Sequence, residues 1–212
     1  MKRSNLPNKI AIFPLSDAVF FPRTMLPLNI FEDRYIQLVR DCMKGQRLFG
    51  MIQPKVKSGQ TPEVYKVGCL GKIVSFNEIS DKKFIIALSG IIRFRILKEL
   101  SNKKLYREFN VDYSDFIDDL EVKENITKGY TDKNLLKKIK YFFNRRNYSV
   151  KFNELEKLNF NQLISTICMI SAFSVEEKQK LIETIKTKEK LEVLEDIMNF
   201  NLLDNQENKT IQ

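Results

Sequence analysis

The chain has no histidine in its 212 residues. That absence excludes every mechanism built on an imidazole: serine and cysteine triads, histidine general bases, and histidine-ligated zinc, haem or non-haem iron. Cysteine is scarce as well. Cys42, Cys69 and Cys168 are far apart, odd in number and without a CxxC pair, so neither a metal cage nor a secreted disulfide framework is expected, and the thiols read as free core residues of a reducing cytosol. Seven glycines and six prolines are few for this length, and the 43% hydrophobic content rules out collagen-like and disordered classes. Long apolar runs are missing too. The first, Ile10 to Phe13, stops at Pro14, too short for a signal-peptide core, and no later run reaches the roughly 18 residues of a membrane span. A cytoplasmic protein with no membrane partner is expected.

No GxxxxGK[ST] loop or GxGxxG fingerprint occurs, which argues against nucleotide phosphate binding. A Ser-x-x-Lys spacing occurs at Ser80 with Lys83 and at Ser101 with Lys104. Both pairs fall in expected turns, where Ser and Lys are common and solvated, so no catalytic residue is assigned. No metal site or cofactor is expected either.

The chain does carry a net charge of +9, from 36 Lys and Arg against 27 Asp and Glu. Residues 1–115 hold 20 basic and 11 acidic side chains, and residues 116–212 hold 16 of each, so the excess belongs to the first half. A basic lobe attracts anionic partners such as nucleic acid, although charge alone gives no sequence readout. Its lysine bias, beside abundant Asn and Ile, is also what an AT-rich genome produces.

The first half reads as strands. Period-two or continuous β-branched and aromatic segments predict strands at Ile10–Leu15, Leu26–Ile30, Leu48–Gln53, Val67–Glu78, Phe84–Leu97 and Tyr106–Tyr113. Asp81, Lys82 and Lys83 mark a hairpin between the fourth and fifth. Gly68 and Gly71 inside the fourth predict a bulge or a close backbone approach. Between the second and third, Tyr35, Leu38, Val39 and Cys42 follow helical spacing from Glu32 to Met43, with Glu32 and Asp33 at the start and Gly45 as the stop. Glu32 is expected to pair with backbone N–H groups, Arg34 or Arg93.

From Asp115 to Thr131 periodicity is lost among Asp115, Asp118, Asp119, Glu121 and Glu124, which predicts a solvated connection between two domains, residues 1–116 and 117–212. Helical spacing then takes over. Leu135, Leu136, Ile139, Phe142 and Phe143 form one apolar stripe, Leu163, Ile164, Ile167, Cys168 and Ile170 a second, and Leu181, Ile182 and Ile185 a third that Ser174 and Glu177 start as a capping box. A fourth helix runs from Lys188 to Asn199, and the short connections predict an antiparallel bundle.

The densest motif series is Ile12-Phe13-Pro14-Leu15, Phe20-Phe21-Pro22, then Leu26-Pro27-Leu28 leading to Ile30-Phe31-Glu32-Asp33-Arg34-Tyr35. Phe49-Gly50-Met51-Ile52, Val67-Gly68-Cys69-Leu70-Gly71-Lys72-Ile73, Leu88-Ser89-Gly90-Ile91-Ile92-Arg93-Phe94-Arg95-Ile96 and Phe173-Ser174-Val175-Glu176-Glu177 follow. In this order they resemble the N-terminal, substrate-binding domain of the Lon protease family, over nearly the whole chain. The hairpin tip departs from the family's Asp-Gly-Arg, reading Asp81-Lys82-Lys83. The resemblance implies an α+β protein, an N-terminal PUA-like β-barrel with one helix followed by a C-terminal helical bundle. In full-length Lon proteases this region helps recognise substrates and precedes AAA+ ATPase and Ser-Lys protease domains. The chain is expected to be a stand-alone bacterial form without either, hence not an enzyme.

The expected function is polypeptide recognition, with an unfolded segment, a defined partner or protein quality-control machinery as partner. Phe20, Phe21, Arg23 and Met25 are the candidate contact residues, with the alternative that their apolar side chains fill the core. RNA is the alternative partner, through Lys72, Arg93, Arg95 and Lys98, provided they share one face with an exposed aromatic.

Overall fold

Alternating or continuously buried apolar side chains build six strands and the helical periodicities build the rest, as seen in a computed structural model that describes residues 3–16, 18–55, 63–121 and 132–207. The strands are β1 (Lys9–Pro14), β2 (Met25–Ile30), β3 (Leu48–Ile52), β4 (Val67–Ser80), β5 (Lys83–Leu100) and β6 (Arg107–Asp112). Helix α1 (Asp33–Met43) lies between β2 and β3. The sheet order is β2-β5-β4-β3-β1-β6, and β5 also pairs β6. Five strands therefore close into a ring, and β2 is added at the side.

The length of β5 makes this possible. Its first half pairs with β2, from Met25 opposite Ser89 to Ile30 opposite Phe84, and its second half pairs with β6, from Arg95 opposite Asp112 to Leu100 opposite Glu108. Ile12, Phe49, Leu70, Leu88, Ile92 and Phe94 are completely buried inside. The β4–β5 register slips between Leu70 and Gly71, where a side chain would run into Leu88. Helix α1 lays Tyr35, Ile36, Leu38 and Val39 against the barrel, with the Tyr35 ring stacked 3.8 Å from Phe13. Arg40 from the same helix donates to the Asp81 carbonyl and carboxylate, at 2.6 and 2.8 Å, and holds the β4–β5 hairpin tip.

The segment expected to be a solvated connection is structured at its start. Ser114–Leu120 forms a 3₁₀ helix that buries Phe116 completely. Its carboxylates look solvent-seeking in sequence, but Asp115 pairs with Arg95 at 2.8 Å and Asp119 with Arg93 at 2.9 Å. The rest of the expected connection, including Glu124, lies outside the described residues. The bundle comprises α2 (Asp132–Arg145), α3 (Phe152–Leu155), α4 (Phe160–Ile170), α5 (Val175–Glu183) and α6 (Thr187–Glu207). Ile139, Ile167, Leu181 and Leu194 are at its centre. The Ser174–Glu177 capping box starts α5, and Asn159 with Gln162 forms another at α4. Among the described residues no helix is long and apolar enough to cross a membrane.

Candidate functional site: an open strand edge beside an apolar face

The chain reaches β2 through a turn that fixes where the candidate residues point. Pro22 leads into Arg23, whose backbone is left-handed at φ 64°, and the Thr24 hydroxyl donates to the Phe21 carbonyl at 2.6 Å. Arg23 N–H donates to the Gly90 carbonyl and Gly90 N–H to the Thr24 carbonyl, both at 2.9 Å. Only glycine fits there, because any Cβ at position 90 would collide with the Phe21 carbonyl. The turn is thereby clamped to β5.

This clamp drives Phe20 and Phe21 inward, at 2% and 0% exposure. Of the two expectations the core one holds for them, so they are not surface contact residues: they fill the core, where large aromatics gain most from leaving water. Met25 does stand outside, at 51% exposure. Arg23 is half-buried, and its guanidinium donates to the carbonyls of Asp119 and Glu121.

Residues directly opposite on antiparallel strands share a face. Met25 and Lys72 both oppose Ser89, Pro27 and Ser75 oppose Ala87, and Asn29 and Asn77 oppose Ile85. These rows form the outer face of β2, β5 and β4. The face is apolar in part, with Met25, Val74 and Ile85 at 51%, 52% and 40% exposure. It continues into an open groove of about 620 Å³ lined by Arg23, Lys72, Val74, Ser89, Ile91 and Leu120, among others. Among the described residues β2 pairs with β5 alone, so one row of its backbone groups stays unpaired. Pro27 is compatible with that edge, since it has no N–H to give a second neighbour.

The alternative basic set does not converge. Arg93 is 2% exposed and every N–H of its guanidinium is used: two on the Asp119 carboxylate, three on the carbonyls of Ile182, Thr184 and Ile185. It is corrected from a candidate RNA contact to an internal tie between barrel and bundle. Its guanidinium also lies 4.5 Å from the Phe116 ring centre. Arg95 is paired with Asp115, while Lys98 is exposed opposite Asn110. Lys72 faces Ser89, nine residues along β5 from Lys98, on the order of 30 Å away. Sequence reasoning could not see that Arg93 has a private partner 26 residues later.

The three thiols are quiet chemically. Burial pushes the Cys42 and Cys168 thiols up to about 12 and the Cys69 thiol well above its usual value, so all three stay protonated and poorly nucleophilic. Among the described residues no group of three or more carboxylates and thiols could hold a metal. Glu32 pairs with Arg34 at 2.8 Å on the surface and makes no side-chain cap.

Comparison with known proteins agrees with this architecture. The family model described as the ATP-dependent protease La (LON) substrate-binding domain matches residues 9–199. The Lon protease of Syntrophus aciditrophicus is 27% identical over 205 residues, covering 93% of this chain and 26% of that protease. The Lon protease of Desulfosudis oleivorans is 27% identical over 208 residues, covering 93% of this chain and 24% of that protein. The chain thus spans about a quarter of the length of these curated relatives. Among solved structures, the N-terminal domain of the Mycobacterium avium complex Lon protease superposes with a TM-score of 0.63 at 16% identity, over 90% of this chain and 98% of that one. A Lon N-terminal domain protein from Xanthomonas campestris gives 0.61 at 20% identity, over 88% and 96%. With the match running through both barrel and bundle, the chain belongs to the family of Lon substrate-binding domains.

Proposed function

We propose that this protein binds extended polypeptide segments, without catalysing a reaction of its own, by laying them along β2 and over the outer face of β2, β5 and β4. The observation that carries the reading is the juxtaposition of an unpaired strand edge with exposed Met25, Val74 and Ile85. An extended peptide satisfies its backbone against such an edge, and the neighbouring apolar side chains add affinity through buried area. Arg23 and Lys72 border the groove. Membership of a substrate-binding family supports the same reading. The partner is an unfolded chain or a defined protein of the quality-control machinery, in the cytoplasm.

The test is to add a permanently unfolded polypeptide to isotopically labelled protein and follow its resonances, with a structured RNA as the second titrant. The reading expects shifts at the Met25 and Asn29 amides and at the Met25, Val74 and Ile85 methyl groups. Shifts centred on Arg95 and Lys98, produced by RNA alone, would reject it.

A further inference from the structure

A small cavity of about 60 Å³ opens where barrel and bundle meet. Pro22, Arg23, Arg93, Asp118 and Asp119 line it from the barrel side, and Asn161, Ser165, Thr187 and Lys190 contribute from α4 and α6. Three of these side chains are cationic and two anionic. Their engagement differs sharply. Arg93 and Asp119 neutralise each other, and Arg23 is spent on backbone carbonyls. Lys190 is 7% exposed, and its side chain makes no hydrogen bond or ion pair with any described residue, although the Asp119 charge favours its proton.

A buried ammonium without a partner is costly, and three donors need acceptors. Asp118 is not free, and Asp119 already accepts three bonds from Arg93. Around the lysine, Asn161, Ser165 and Thr187 supply an amide and two hydroxyls that adapt as donors. Thr187 is also the first residue of the 21-residue α6, whose positive dipole end faces this region.

We propose that this cavity binds a small oxyanion, a carboxylate or a phosphate, with Lys190 as the charged donor and Ser165, Asn161 and Thr187 as neutral ones. Arg93 ties β5 to the end of α5 and the connection that follows it, and an anion in the cavity beside it acts between the barrel side and α4 and α6, so its binding stabilises the barrel–bundle junction. Burial, followed by the Arg93 charge, lowers the Lys190 ammonium to about 8, while Asp119, Cys168 and Cys69 oppose the shift. Anion binding raises that value again and weakens as pH climbs above it, because the neutral amine no longer attracts the ligand.

The experiment titrates the full chain with inorganic phosphate and, separately, with acetate, at constant ionic strength held by chloride. It reads the Lys190 ε-methylene resonance and the thermal midpoint. A saturable shift of that resonance and a rising midpoint are expected with at least one of the two anions, which assigns phosphate or carboxylate as the source. Both effects are expected to vanish in Lys190→Met and to fall off above pH 8. A response that never saturates, or that is the same in Lys190→Met, would overturn the proposal. If that variant fails to fold, an unmoved Lys190 resonance in the wild type would overturn it equally.

Discussion

Arg93 shows what a single residue can carry in this chain. A guanidinium has five N–H donors, and here all five are satisfied within the protein, two by a carboxylate and three by the carbonyls before α6. Asp119→Ala leaves that charge buried and underpaired, so denaturant unfolding is expected to show a loss of about 3 kcal/mol or more. Arg93→Lys is expected to be nearly as damaging, since an ammonium cannot reproduce the two-pronged geometry. Lys190 makes the opposite case. Its proton is disfavoured in the folded chain, with a value lowered from 10.5 to about 8. Between pH 8 and 10.5 the unfolded chain therefore holds more protons than the folded one, and stability gained from this group rises with pH. In phosphate-free buffer, Lys190→Met is expected to be more stable than the wild type at pH 7 by up to about 3 kcal/mol, with the gap closing toward pH 10. Comparing the two chains at each pH cancels the buried thiols and tyrosines, whose raised values act the other way. A gap that does not change with pH would mean that Lys190 keeps its charge solvated.

Among the elements, the turn before β2 and the strand itself divide the labour of fold and site. Phe21 is wholly buried and Met25 half exposed, four residues later. Phe21→Ser is expected to cost about 3–5 kcal/mol in thermal or denaturant unfolding, while Met25→Ser shifts stability by no more than about 0.5 kcal/mol. Gly90→Ala is expected to destabilise the chain by about 1–3 kcal/mol, through the backbone shift that its Cβ forces on Phe21. These strands were legible because their apolar residues alternate or run together between Pro and Gly. The helices were legible from their i, i+3, i+4 stripes and, at α5, from Ser174 and Glu177. The four-residue α3 is too short to show a period, and Ser114–Leu120 was hidden by its acidic side chains, whose basic partners are distant in sequence. For the same reason Arg93 looked like a surface cation, and the choice between patch and core for Phe20 and Phe21 stayed open. Composition shows that a charge or a ring exists, but burial depends on what the fold brings to it.

For the whole molecule, closing five strands into a ring leaves β2 at the side with, among the described residues, an open edge. The resemblance read in the motifs covers barrel and bundle alike, and the family match over residues 9–199 bears it out. The central claim is that the face beside this edge binds polypeptide through apolar contact. It is tested most directly by measuring the affinity of a permanently unfolded polypeptide for the wild type, the double variant Met25→Ser and Val74→Ser, and Lys72→Glu, at low and physiological salt. The account predicts that the double variant keeps its fold and loses about tenfold or more in affinity. It also predicts that wild-type binding changes little with salt, because buried apolar area is unscreened while ion contacts are not. Undiminished binding by the double variant, with affinity that collapses in salt and disappears in Lys72→Glu, would contradict it.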